Sequence, residues 1–161
     1  MAATSAVKPG IAGGVYRNTG SYGSPTWTEV TLVRDVSPTF PWDMADASVR
    51  ATRAKLYAKT QVDLGFSIVI RADDADTGYV ALFDAAMSPT TLIDMMILDG
   101  DIATEGAMGI RMHANVSMGS QTQGAGDIVY TTFDLKPGYS SDGVPKSVKM
   151  GASSAPSFTS F

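Results

Sequence analysis

Few side chains in this sequence are equipped for catalysis. The chain has one histidine, His113, and no cysteine. Lacking cysteine, it has no thiolate nucleophile, no thiolate metal site and no disulfide framework. His113 lies in residues 107–118, where Met108, Ile110, Met112, Ala114, Val116 and Met118 alternate with Gly109, Arg111, His113, Asn115 and Ser117. Such alternation describes a strand with one buried face, and it assigns His113 to the exposed, polar side. A Ser-His-Asp set can be drawn with any serine, but the G-x-S-x-G elbow that would present it is missing. Neither G-x-x-x-x-G-K-S/T nor a G-x-G-x-x-G after a strand is present, and the polar run GSQTQGAG opens no helix. Asp73, Asp74 and Asp76 invite a calcium test. With Asp73 as first ligand, Gly78 is sixth and Asp84 twelfth, but Ala75 and Thr77 stand where carboxyl ligands belong. Helix capping accounts better for the same acids. Glycosidases need only two carboxylates, and sixteen acids leave that chemistry formally open. The expectation is a non-enzyme with no metal and no cofactor.

Charge is laid out in blocks. The formal net charge is −4. Residues 48–60 carry Arg50, Arg53, Lys55 and Lys59 without an acid. Residues 73–105 carry Asp73, Asp74, Asp76, Asp84, Asp94, Asp99, Asp101 and Glu105 without a base. These blocks are either two solvated surfaces or complementary patches that attract copies of the same chain. The basic block with Tyr57 is also a candidate nucleic-acid patch. One small cluster on an acidic chain is poor material for it, because affinity scales with phosphates neutralised.

The positioning elements centre on residues 61–100. Val62, Leu64, Phe66, Ile68 and Ile70 alternate with polar or small neighbours, which predicts a strand. An acidic turn follows, then helical spacing at Tyr79, Val80, Leu82, Phe83, Ala86 and Met87, capped by Asp76 or Thr77 and closed by Pro89. Residues 91–98 read as a strand buried on both faces. Residues 27–37 alternate and end at Pro38 and Pro41. Residues 43–59 show no clean period and read as a long exposed connection or a β-hairpin arm, with a helix as a further option. Residues 107–118 and 127–136 form a hairpin with a long polar tip. Residues 147–150 make a short strand. Phe40 and Trp42 either plug the core edge or act as contact anchors. The nine methionines, Met95 and Met96 among them, read first as core packing. Sixteen glycines, eight prolines and no long helical pattern point to a β-rich chain. One domain is expected over residues 1–161: an arm at 1–14, a body at 15–150 with the helix near 76–87, and a tail at 151–161 with a frayed end. The start carries neither the basic head nor the apolar run of a signal peptide, and no run approaches a membrane span.

The order of these features resembles a known family. It runs W-T-E-V-x-x-V-R-D-V from Trp27, D-x-x-D-A-S-V-R-A-T-R over 43–53, V-D-L-G-F-S-I, D-D-x-D, A-L-F-D-A-A, I-D-M-M-I-L-D-G, and T-F-D-L-K-P-G closing at Gly138. It is similar to the major tail tube proteins of tailed bacteriophages, from about Trp27 to Gly138. The resemblance implies a mainly β fold with one α-helix, a β-sandwich or barrel-like body whose long hairpin contributes to a ring-shaped oligomeric barrel. It implies hexameric rings stacked into a hollow tube in the virion tail, assembled in the host cytoplasm without membrane anchoring. DNA crosses the lumen only as passing cargo. Partners implied are further copies, the tape measure protein, and tail terminator and baseplate proteins.

On that basis Arg50, Arg53, Lys55, Tyr57 and Lys59 facing Asp99 and Asp101 are the expected contacts between subunits. Glu29, Asp35, Asp63 and Asp127, on polar strand faces, are the candidates to line a lumen that must not hold DNA. The alternative is a non-catalytic β-sandwich module, a capsid decoration or carbohydrate-binding domain. Only Trp27, Trp42 and Tyr57 would serve a glycan, and they do not share one strand. A small hydrolase is the third reading, with almost no catalytic set to support it.

Overall fold

The computed structural model describes residues 13–49, 55–151 and 155–160. In chain order the elements are β1 (Gly14–Asn18), β2 (Trp27–Glu29), β3 (Val33–Thr39), β4 (Trp42–Asp46), β5 (Tyr57–Val62), β6 (Gly65–Arg71), α1 (Thr77–Met87), β7 (Ile93–Leu98), β8 (Met108–Thr122), β9 (Tyr130–Pro137), β10 (Lys146–Met150) and β11 (Pro156–Ser160). The expected mainly β chain with one helix is observed. Seven strands run β2-β1-β7-β8-β9-β6-β3 across a nine-stranded sheet, with β10 and β11 attached through β8. β4 and β5 form a separate two-stranded sheet.

β8 holds this arrangement together because it is long, at fifteen residues. One flank pairs with β7 from Gly109 to Ala114. The other pairs with β10 over Met108 to Arg111 and then with β9 from Ala114 to Thr122. The expected hairpin of two strands with a polar tip is therefore present as β8 and β9. At Gly109 a Cβ would run into the Ile97 carbonyl, so the tight β7–β8 approach requires glycine there.

The helix forms where its cap dictates. The Asp76 carboxylate accepts the Tyr79 N–H at 2.7 Å, satisfying a donor the first turn cannot. Tyr79, Leu82 and Ala85 are buried, while Val80 and Met87 stay exposed. This face packs on Phe66, Ile68 and Ile70 of β6, Met95 of β7, Met112 of β8 and Phe133 of β9 in one core cluster. Each large side chain fully buried there contributes about 1.5–3 kcal/mol. Tyr16, Met96, Leu98, Ala107, Val148 and Met150 form a second cluster on the other face, with Trp27, Ile102 and Phe158 against it. β7 lies between the two clusters, which is why all six of its residues are buried, as its unbroken apolar run suggests.

Two alternating runs split. Residues 27–37 do not make one strand: the Val30 N–H bonds to Val15 at one end of the sheet, and the Leu32 carbonyl accepts the Arg71 N–H at the other. With Thr31 alone between them, the two ends of the sheet are brought close, although β2 and β3 do not pair. Pro38 does not end the run but lies inside β3, an edge strand where its missing N–H is tolerated. The run from Val62 to Ile70 breaks at Asp63 and Leu64, where the Asp63 N–H bonds to the Pro41 carbonyl and the chain crosses from β5 to β6. Parity survives both breaks, so alternation alone does not reveal them. The described parts of residues 43–59 realise the hairpin-arm option as β4 and β5, not the helix. The tail also differs from the frayed end expected: β11 pairs with β10, and Phe158 packs on the second cluster.

Candidate assembly surfaces

Among the described residues the β4–β5 ribbon has no third strand. Met44 faces Lys59 and Asp46 faces Tyr57 across it, while Ala45 and Ala58 form a pair on the opposite face. Trp42 joins the first face, with the Lys59 ammonium 5.2 Å from its ring centre. One face thus carries Trp42, Met44, Tyr57 and Lys59 together with Asp46, and Ala45 and Ala58 lie on the other. The ribbon's outer end, away from β6, is held by Ala47 N–H to Leu56 O at 2.9 Å and by Ser48, whose N–H binds the Asp46 carboxylate at 2.8 Å. Those bonds from Ser48 hold the Asp46 carboxyl below its ordinary pKa. Lys55, Tyr57 and Lys59 are exposed. Arg50 and Arg53 lie outside the described residues.

The acidic side is a notch after β7. Asp99 accepts the Met108 N–H and Asp101 the Ala103 N–H, each at 2.7 Å. With Glu29, Glu105 and Tyr16 they line a recess of about 330 Å³. Burial raises the Tyr16 phenol above its ordinary pKa, opposed by the Ile102 N–H at 3.0 Å and assisted by Asp101 and Glu29. Beside the notch a groove of about 960 Å³ separates β1 and β2 from β3, floored by Val15, Val30, Val36, Phe66, Ile97 and Ile110.

The four residues assigned to a lumen occupy different places. Glu29 is on edge strand β2, and Asp35 is on edge strand β3, 3.4 Å from Arg34. Asp63 bonds the Lys136 ammonium at 2.6 Å at the β5–β6 crossing, and Asp127 is exposed at the tip of the β8–β9 hairpin. Asp73 accepts the Ala75 N–H at 3.0 Å and Asp76 caps α1, so both serve the turn and the helix.

Alternation misplaces two residues. Arg111, assigned to the polar face, is 4% exposed and pairs with Asp94, 9% exposed. Its Nε donates to Asp94 Oδ1 at 3.0 Å and its Nη2 to Asp94 Oδ2 at 2.6 Å, a two-point clamp. Nη2 also bonds the Tyr22 carbonyl at 2.9 Å, and the guanidinium lies 3.8 Å from the Tyr22 ring centre, with Trp27 and Phe158 at 5.1 and 5.0 Å. Asn18 Nδ2 completes the set at 2.8 Å from Asp94. The signal was an acid inside the otherwise apolar run of β7, which has to find a buried partner. His113 is not an exposed strand residue either. It stacks on Tyr22 at 4.9 Å, its buried Nε2 lacks a hydrogen bond, and the Asp142 carboxylate is 3.6 Å away. Trp27, half-buried with its ring 5.1 Å from the Arg111 guanidinium, leaves the set that would have served a glycan.

No protein-family model and no curated protein matches this sequence. Solved structures do match the fold. A chain in the tail of an empty GTA particle, refined helically with C6 symmetry, superposes with a TM-score of 0.56 at 12% identity, covering 96% of this chain and 100% of that one. A chain in the sheath–tube complex of an extracellular contractile injection system, PVC, in its extended state gives 0.54 at 12% identity, covering 82% and 88%. Sheet, hairpin and helix together therefore make a fold shared with a chain of that GTA tail and a chain of that sheath–tube complex.

Proposed function

We propose that this chain is a structural tail subunit whose copies form hexameric rings stacked into a hollow tube for DNA delivery. The observation that carries the reading is the likeness along the whole length of both chains to a subunit of a C6-symmetric tail. The features of the chain agree with it. β2 and β3 are unpaired edges, and a subunit that leaves edges open is protected when a ring closes over them. The tip of the β8–β9 hairpin, residues 117–128, is exposed and, besides Met118 and Ile128, carries small and polar residues with Asp127 and no base, in keeping with a wall that must not retain DNA. Glu29, Asp35 and Asp63 are the other proposed lumen residues. Arg50, Arg53, Lys55, Tyr57 and Lys59 on one side, with Asp99 and Asp101 on the other, are proposed to join subunits. The tape measure, terminator and baseplate proteins are proposed partners in the virion. The mechanism is geometric: strands and charges position a channel, and no bond is made or broken.

The test is negative-stain electron microscopy beside size-exclusion chromatography with light scattering. Rings or tubes with a central hole are the expected result. Particles without a hole, or closed dimers, would refute the reading.

A further inference from the structure

Among the described residues, the buried side-chain nitrogens without a hydrogen-bond partner are Arg17 Nε, Trp27 Nε1 and His113 Nε2. Guanidinium and indole keep their hydrogens at any pH a folded protein meets. Imidazole does not, because its charge changes in a range where most side chains are fixed. His113 Nε2 faces the Asp142 carboxylate at 3.6 Å, with the imidazole 15% and the carboxylate 48% exposed. Charged groups meet this ring from several elements. Asp94 of β7 lies opposite it in register, clamped to Arg111 of β8. Tyr22 of the β1–β2 loop stacks on it, and the Lys146 ammonium of β10 is 5.3 Å from the Tyr22 ring centre. Asp142 comes from the loop at 138–145. Asp94 and Arg111 offset each other, so Lys146 opposes a charge on His113 and Asp142 favours it.

We infer that His113 is a proton-operated latch on the loop at 138–145. When the imidazole takes a proton from solvent, both ring nitrogens become donors, and Nε2–H faces an anion. Charge-assisted bonds of this kind run about 2.7–2.9 Å, so the loop has under about 1 Å to travel. Its root is already tied by Gly138 N–H to the His113 carbonyl at 2.7 Å, and Asp142 N–H bonds Ser140 Oγ at 3.1 Å. Closing the latch fixes the rest of the loop, which displays Tyr139 and Val144 to solvent. Loss of the proton opens it. The latch belongs to a single chain and does not depend on assembly.

The chain has no cysteine and one histidine, so both ends of the latch can be read without interference. A nitroxide on Ser141→Cys reports the loop, and the single imidazole proton resonance reports His113. Full-length protein, held below assembling concentrations, is titrated from about pH 8 to about pH 5. The immobile fraction of the nitroxide spectrum is expected to rise about twofold or more toward acid, with the midpoint of the imidazole resonance. Asp142→Asn should abolish the rise, as should His113→Phe, which keeps a ring on Tyr22 and cannot titrate. If His113→Phe fails to fold by circular dichroism, Asp142→Asn alone decides. A nitroxide that does not respond to pH, a response that survives either variant, or two midpoints that differ would each overturn the latch.

Discussion

Cutting the buried clamp between Asp94 and Arg111 from either side should be severe, and removing both halves should not. Asp94→Asn keeps the size and takes away the charge, leaving a buried guanidinium with the Tyr22 carbonyl and three rings. Arg111→Met leaves a buried carboxylate to which the Asn18 amide still donates. Breaking a buried pair in this way costs about 3–5 kcal/mol. In a chain of this length that corresponds to a fall of about 6–20 °C in Tm. Asp94→Leu with Arg111→Met removes both charges, so neither ion is stranded. The Tyr22 carbonyl still loses a donor, which costs about 1–3 kcal/mol. The double variant should therefore sit within about 3 kcal/mol of the parent, giving a coupling of about 3 kcal/mol or more between the two sites. Urea unfolding of the four proteins, followed by circular dichroism at concentrations below assembly, measures this. Additive effects, or a single variant that loses under about 1 kcal/mol as a hydrated surface pair would, refute the clamp. Salt should change the coupling little, because a pair this enclosed is poorly screened.

Three further outcomes are expected. Asp76→Ala removes the α1 cap and should cost about 0.5–2 kcal/mol in urea unfolding, with Asp76→Ser recovering most of it. Reversing Arg50, Arg53 and Lys55 to Glu should leave a folded monomer by light scattering and circular dichroism that no longer polymerises; normal tubes from it would sink the charge argument. The raised Tyr16 pKa makes a signed prediction: the folded state favours the neutral phenol, so that stabilisation is intact below the unfolded value near 10 and disappears as pH climbs through the folded value. From about pH 9 to about pH 11 the urea midpoint of the parent should fall further than that of Tyr16→Phe. Equal slopes would show that the phenol is not held by the fold.

Periodicity within a strand is a property of the backbone, and there the sequence was a sufficient guide. β7 had to be buried on both faces because all but one of its residues are apolar, and α1 had to begin after Asp76 because its first N–H groups need an acceptor. The β8–β9 hairpin followed from two alternating runs around a polar, glycine-rich tip. The blocks of charge at 48–60 and 73–105 could also be read directly. Side-chain parity says which residues share a face, but not what covers that face or where a strand changes sheets. Residues 27–37 and 62–70 keep their alternation while crossing from one set of partners to another, so the pattern hides the crossings at Thr31 and at Asp63–Leu64. Arg111 and His113 fall on the polar parity of β8, yet Tyr22 and Trp27 from one part of the chain and Phe158 from another cover that side. Burial is set by the whole assembly of layers, and a local pattern says nothing of a layer contributed 89 residues away, as Tyr22 is from Arg111.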